Sequence, residues 1–169
     1  MRYLFALLLP ALFTAYAATS YTPTEDYAVR FSTKKAEGTF RGLTGTIRFD
    51  ADDLNGSLFD VSVDVATIAT GNKTQDKHAR GSGWFDAEEY PRITFRSSSF
   101  TRAGDGFAVR GTLTMRGHAE EVTIPFTFAD RVFSGGLTVN RETYGIDGPF
   151  LFGGLVGEEV LVELRIPVE

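Results

Sequence analysis

The stretch LFDVSVDVA, residues 58 to 66, places Phe59, Val61, Val63 and Val65 on one side and Ser62 and Asp64 on the other. A period of two marks a strand with one apolar and one wetted face, because successive side chains leave an extended backbone in opposite directions. The same alternation recurs outward in both directions. Before it come Tyr27, Val29 and Phe31, then Phe40, Ile47 and Phe49 within residues 39–50. After it come Ile93 and Phe95, then Phe107, Val109, Leu113 and Met115. Val122, Ile124, Phe126 and Phe128 follow, with a weaker pattern over 132–140 and a clear one at Val160, Val162, Leu164 and Ile166. Gly42 and Gly45 are positioned to bend the second of these strands. Pro125 cannot donate a ladder hydrogen bond, so a bulge or an unpaired position is expected there.

About eight strands joined by tight turns must cover their shared apolar face, and closing the sheet on itself does this while removing both edges. The expected fold is therefore all-β, an eight-stranded antiparallel barrel. A two-sheet sandwich competes, but strands of about ten to twelve residues span roughly 33 to 40 Å, which suits an elongated barrel better. One or two short helices interrupt the strands. Asn72-Lys-Thr-Gln75 has the form of a capping box for a helix running to Arg80, and Asp86-Ala-Glu-Glu89 repeats the device for a single turn before Pro91.

Residues 1–17 read as a signal peptide. Arg2 supplies the positive start, Tyr3 to Phe13 is apolar apart from Pro10, and Ala15-Tyr16-Ala17 has the small-x-small form of a cleavage site. The apolar run is too short to span a bilayer. The mature domain is then 18–169, exported to the periplasm or secreted. The 169 residues contain no cysteine, which removes thiol catalysis and disulfides. The net charge of −5 argues against nucleic acid as a partner.

The loop GNKTQDKHARGSGWFDAEEYP, residues 71–91, concentrates the candidate chemistry. Asp76 and His78 do not share a helical face, whereas Asp76 and Arg80 do, so Asp76 reads as a structural anchor. A metal site would have to recruit His118, the only other histidine, plus a carboxylate. No nucleophile elbow accompanies Ser97-Ser-Ser99. The expected catalytic set and metal set are therefore both empty. A second anomaly is the apolar loop around Phe150 and Phe152, which reads as a plug, as a lip on a ligand site, or as a homodimer contact.

Taken in order, the motifs resemble the YceI family. Thr39-Phe-Arg-Gly42, Gly45-Thr-Ile47 and Phe49-Asp50 correspond to its opening. Ala69-Thr-Gly-Asn72 with Asp76-Lys-His78 corresponds to its central loop. Trp84-Phe85-Asp86, Tyr90-Pro-Arg-Ile-Thr-Phe95, Gly111-Thr-Leu-Thr-Met-Arg-Gly117, Val122-Thr-Ile-Pro125, Asn140-Arg141 with Tyr144-Gly145-Ile146, and Gly157-Glu-Glu-Val160 complete the series. The resemblance implies a lipocalin-like barrel that holds a long isoprenoid-like lipid, such as a polyprenyl chain or quinone, with no catalytic residue and no cofactor beyond that ligand. Candidate tunnel residues are Phe40, Phe49, Phe95, Met115, Phe126 and Phe128, with Phe150 and Phe152 at the mouth. Asp76, His78, Trp84 and Phe85 form the structural loop, with His78 expected to be held by backbone or carboxylate. Transient membrane contact and a homodimer are compatible with this reading. Gln75 and Ala79 depart from the family pattern, which has Arg and Leu there. Two rival readings make other predictions. A small hydrolase or isomerase would bring His78 and His118 together, and a ligand-free stress-response or structural domain would have a solid core.

Overall fold

The computed structural model describes residues 18–148 and 157–169. Its strands are β1 (Thr19–Tyr21), β2 (Ala28–Ser32), β3 (Glu37–Phe49), β4 (Leu58–Ala69), β5 (Arg92–Ala103), β6 (Gly106–Met115), β7 (His118–Ala129), β8 (Val132–Asn140) and β9 (Glu159–Pro167), with one helix, α1 (Lys73–Arg80). The sheet runs in the order β1-β3-β2-β9-β8-β7-β6-β5-β4 and closes through β3–β4 pairing. The closed ring is therefore the eight strands β2 to β9, all antiparallel, as the alternation predicts. β1 lies outside the ring. It pairs with the distal part of β3 (Thr19 with Phe49, Tyr21 with Ile47), while β2 takes the proximal part (Val29 with Phe40, Ser32 with Glu37). Three residues are too few to show a period, which is why β1 leaves no trace in the sequence pattern.

β3 spans the whole barrel and bends on its way. Gly42 and Gly45 hold φ of +70° and +125°, and the β3–β4 register shifts on either side of Arg41. A side chain at Gly45 would collide with the Asp60 carbonyl across the ladder, so only glycine fits this approach. Pro125 sits opposite Ala108 on the β6 side, whereas the ladder toward β8 runs only from Phe126 to Ala129. The missing N–H thus falls where β7 has left β8.

The N-cap half of the first capping box is present, but the Asn72 amide donates to the Thr70 hydroxyl at 3.4 Å and not to the Gln75 side chain. The Asn72 side chain accepts from the amides of Thr74 at 2.9 Å and Gln75 at 3.2 Å, satisfying donors at the start of α1 that have no partner within the helix. The second expectation needs correction: residues 87–89 form a turn, not a helix. Asp86 has φ of +50°, in the left-handed region, whereas an N-cap needs extended backbone. Two short 3-10 turns, Leu54–Gly56 and Arg141–Tyr144, complete the connections.

Strand direction defines two ends. The ends of β2, β4, β6 and β8 meet α1 and the 71–91 crossover at one end. The ends of β3, β5, β7 and β9 meet β1 at the other.

Candidate functional site

The barrel interior is filled at the β1 end and hollow toward the crossover. Phe49, only 1% exposed, lies at the centre of the filled part. Its ring meets those of Phe107 at 5.0 Å, Phe126 and Phe128 at 5.5 Å, and Phe133 at 5.6 Å, nearly all edge to face. Phe59, Phe100 and Tyr21 extend the cluster, and Phe128 stacks on Phe133 at 4.2 Å.

Above this floor lies a cavity of about 960 Å³. Every barrel strand contributes to its walls: Val29 from β2, Phe40 from β3, Val63 from β4, Phe95 from β5, Met115 from β6, Ile124 from β7, Leu137 from β8 and Val162 from β9. Phe59, Phe126 and Phe133 are shared between floor and cavity. An eight-stranded barrel has room for one small ligand when its inward side chains do not meet on the axis. The mouth is formed by the β2–β3 turn (Thr33, Lys35, Ala36), by α1 and by Gly81 to Phe85.

Local sequence explains how the mouth is held. The Asp76 carboxylate accepts from the Thr70 hydroxyl and the Thr70 amide, each at 2.7 Å, which ties α1 to the end of β4. These two bonds, hydroxyl first, hold the Asp76 carboxyl below its ordinary pKa, and the Arg80 guanidinium adds to the effect. Arg80 itself donates to the Ala66 carbonyl at 3.0 Å. Phe85 stacks edge-on against Phe40 at 5.6 Å, and Phe40 meets Phe31 at 5.4 Å. Arg141 is buried at 4% exposure. It donates to the carbonyls of Gly157 at 2.7 Å and Ile146, pairs with Glu142 at 3.3 Å, and lies 5.7 Å from the Trp84 ring centre. Burying a guanidinium is tolerated because these acceptors replace its water. The sequence reading did not single out Arg141; its place in Asn140-Arg141, just past a strand end, was the available signal.

Of the candidate tunnel residues, Phe40, Phe95, Met115 and Phe126 stand on the cavity wall. Phe49 and Phe128 do not: they belong to the filled end, where ring-to-ring contact leaves no space beside them. Phe150 and Phe152 lie outside the described residues. Trp84, Phe85 and His78 line the mouth, together with both departures from the family pattern, Gln75 and Ala79. The expectation that His78 is held by backbone or carboxylate is not met; its ring is exposed and has no hydrogen bond among the described residues. The helix fixes its backbone, so nothing else is required to place it. His118 is not on the cavity wall. A side chain at Gly145 would run into its ring, and no hydrogen bond joins it to His78. Among the described residues no cluster of His, Asp or Glu could hold a metal ion, and no helix is long and apolar enough to cross a membrane.

Fold and site together define a class: a closed antiparallel barrel with one deep apolar cavity, entered beside a capped helical crossover. The chain belongs to the family of YceI-like domains, whose family model matches residues 21–168. It is 31% identical over 87 residues to Protein YceI of Escherichia coli, a match covering 52% of this chain and 46% of that one, so the chain spans about half the length of this curated relative. Among solved structures it is similar to Burkholderia cenocepacia BcnA, at 28% identity and a TM-score of 0.78, covering 85% of this chain and 96% of that one. A domain from Saccharophagus degradans, described as polyisoprenoid binding and implicated in plant cell wall breakdown, shares the fold at 15% identity and a TM-score of 0.59, covering 90% and 95%.

Proposed function

We propose that this chain is an exported binding protein that sequesters or carries a long apolar lipid, an isoprenoid chain or quinone, inside its barrel. The observation that carries the reading is the cavity of about 960 Å³, walled by aliphatic and aromatic side chains from every barrel strand and floored by the phenylalanine cluster. Burying a tail there yields roughly 25 cal/mol per Å² of apolar surface, offset by the cost of ordering the chain. Family membership and the fold shared with a domain described as polyisoprenoid binding support the same ligand class. The hollow interior speaks against a solid-cored structural domain. The separation of His78 and His118 speaks against a hydrolase or isomerase built on that pair. The proposed export, to the periplasm or outside the cell, is supported by the form of residues 1–17.

The test is extraction. The protein is purified from cells that make it, extracted into organic solvent and the extract analysed by mass spectrometry. A co-purifying isoprenoid at a stoichiometric level is the expected result. A clean extract, together with no saturable uptake of added geranylgeraniol, overturns the reading.

A further inference from the structure

The charge of this chain is unevenly placed. Acids outnumber bases, 22 to 17, and Glu37, Glu142, Asp147, Glu158 and Glu159 stand at the crossover end outside the cavity wall, yet the charged side chains on the wall itself are basic. The only four lysines, Lys34, Lys35, Lys73 and Lys77, all fall in the β2–β3 turn and on α1, the two elements that frame the mouth. Lys35, Lys77 and His78 line the cavity itself, as does the buried Arg141. Among the described residues no Asp or Glu stands on the wall. The side chains of Lys35 and Lys77 have no ion pair among the described residues. The one acid of α1, Asp76, is turned to Thr70 and does not line the cavity. Glu142 is paired with Arg141.

We infer that the mouth selects amphiphiles with an anionic headgroup, a carboxylate or a phosphate, over neutral ones with the same tail. This rests on the lipid-binding reading and sharpens it. The filled β1 end leaves no exit on the far side, so a tail enters with its free end first and its headgroup stays at the mouth. There it sits beside Lys35 and Lys77, with no carboxylate on the wall among the described residues. Each exposed pairing contributes little by itself, so two lysines give a preference of about three- to tenfold at low salt. Because the groups are solvated, 1 M salt, with a Debye length of about 3 Å, removes most of it.

The experiment uses delipidated protein and three probes with one tail: geranylgeraniol, geranylgeranoic acid and geranylgeranyl phosphate. Binding is read from the fluorescence of Trp84, the single tryptophan, which lies on the cavity wall. The expected result is tighter binding of the acid, the phosphate or both than of the alcohol. That ratio should collapse toward one in 1 M NaCl and in the double variant K35Q/K77Q. Comparing acid with phosphate tells which headgroup is preferred. Equal affinities for all three in the wild type overturn the inference, as does a ratio that survives both salt and the double variant. The salt series on the wild type keeps the test intact if the variant folds poorly. If the variant alters only lipid transfer from phosphatidylglycerol vesicles and leaves the ratio of the dispersed probes unchanged, the lysines serve a membrane surface and the headgroup assignment falls. If none of the three probes binds, the lipid-binding reading itself fails, a result distinct from equal binding.

Discussion

At the β1 end of the barrel, Phe49 touches rings on every side; toward the crossover, Phe40 and Phe95 turn one face to open space. Both regions are made of inward-pointing residues from the same strands, so the difference lies in side-chain reach. Inward positions near β1 are phenylalanines (Phe59 on β4, Phe100 on β5, Phe107 on β6, Phe133 on β8), and rings that long meet on the barrel axis. The same strands nearer the crossover present Val63, Ile93, Leu113 and Leu137, which stop short of it. One architecture is thus a packed core over part of its length and a container over the rest.

Breaking the filled end should cost most. Phe49→Ala removes the central ring of the cluster and leaves a void among side chains that cannot close it. The expected loss is about 3–5 kcal/mol, read as a fall in Tm of roughly 10 °C or more. A loss below about 1 kcal/mol would show that this end is not the core described.

The hollow end should respond differently to the same kind of change. Leu137 already faces the cavity, so Leu137→Ala gives up fewer contacts, and the expected cost is about 1–2 kcal/mol against the usual 2–5 for a packed leucine. Enlarging it should be tolerated as well. Leu137→Trp puts bulk into existing space and should keep stability within about 1.5 kcal/mol of the wild type while weakening geranylgeraniol binding tenfold or more. Equal penalties at Phe49 and Leu137 in denaturant titrations would erase the distinction between the two ends.

Much of this was legible in the residues. Alternation at Val61, Val63 and Val65 is a local property of extended backbone, so the strands could be read one by one, and Asn72 could be read as a cap because capping involves only the next three residues. Closure also followed, since so many one-faced strands need covering. What alternation does not carry is depth along the barrel axis. Phe49 and Phe40 are both inward phenylalanines on β3, yet one is packed core and the other cavity wall, and only the register against β2, β4 and β1 separates them. Arg141 escaped notice for a related reason, because its acceptors at Ile146 and Gly157 come from separate parts of the chain. The lysines were visible throughout as residues, but their gathering at one mouth requires the β2–β3 turn and α1 to meet at the same end.

The smallest effect is expected at the fastening between hollow end and crossover, where Asp76 holds Thr70. Its pKa is lowered in the folded chain, so folding is favoured by the ionised form. That stability is present above the unfolded carboxyl value of about 3.9 and is lost as pH falls through the lower folded value. Asp76→Asn removes the charge while its amide oxygen can still accept both Thr70 bonds, which end on a single carboxylate oxygen. The variant should therefore melt slightly below the wild type at neutral pH, and the gap should close below about pH 4 as the wild-type carboxyl protonates. Amide exchange should speed up in α1 and at Thr70, with no change in the strands around Phe49, since local openings follow local contacts. A gap in Tm that stays constant from pH 7 to the acid limit would mean that shape rather than charge makes the fastening. Faster exchange around Phe49 would mean that the two ends unfold as one unit, and the contrast between them would then be one of packing alone.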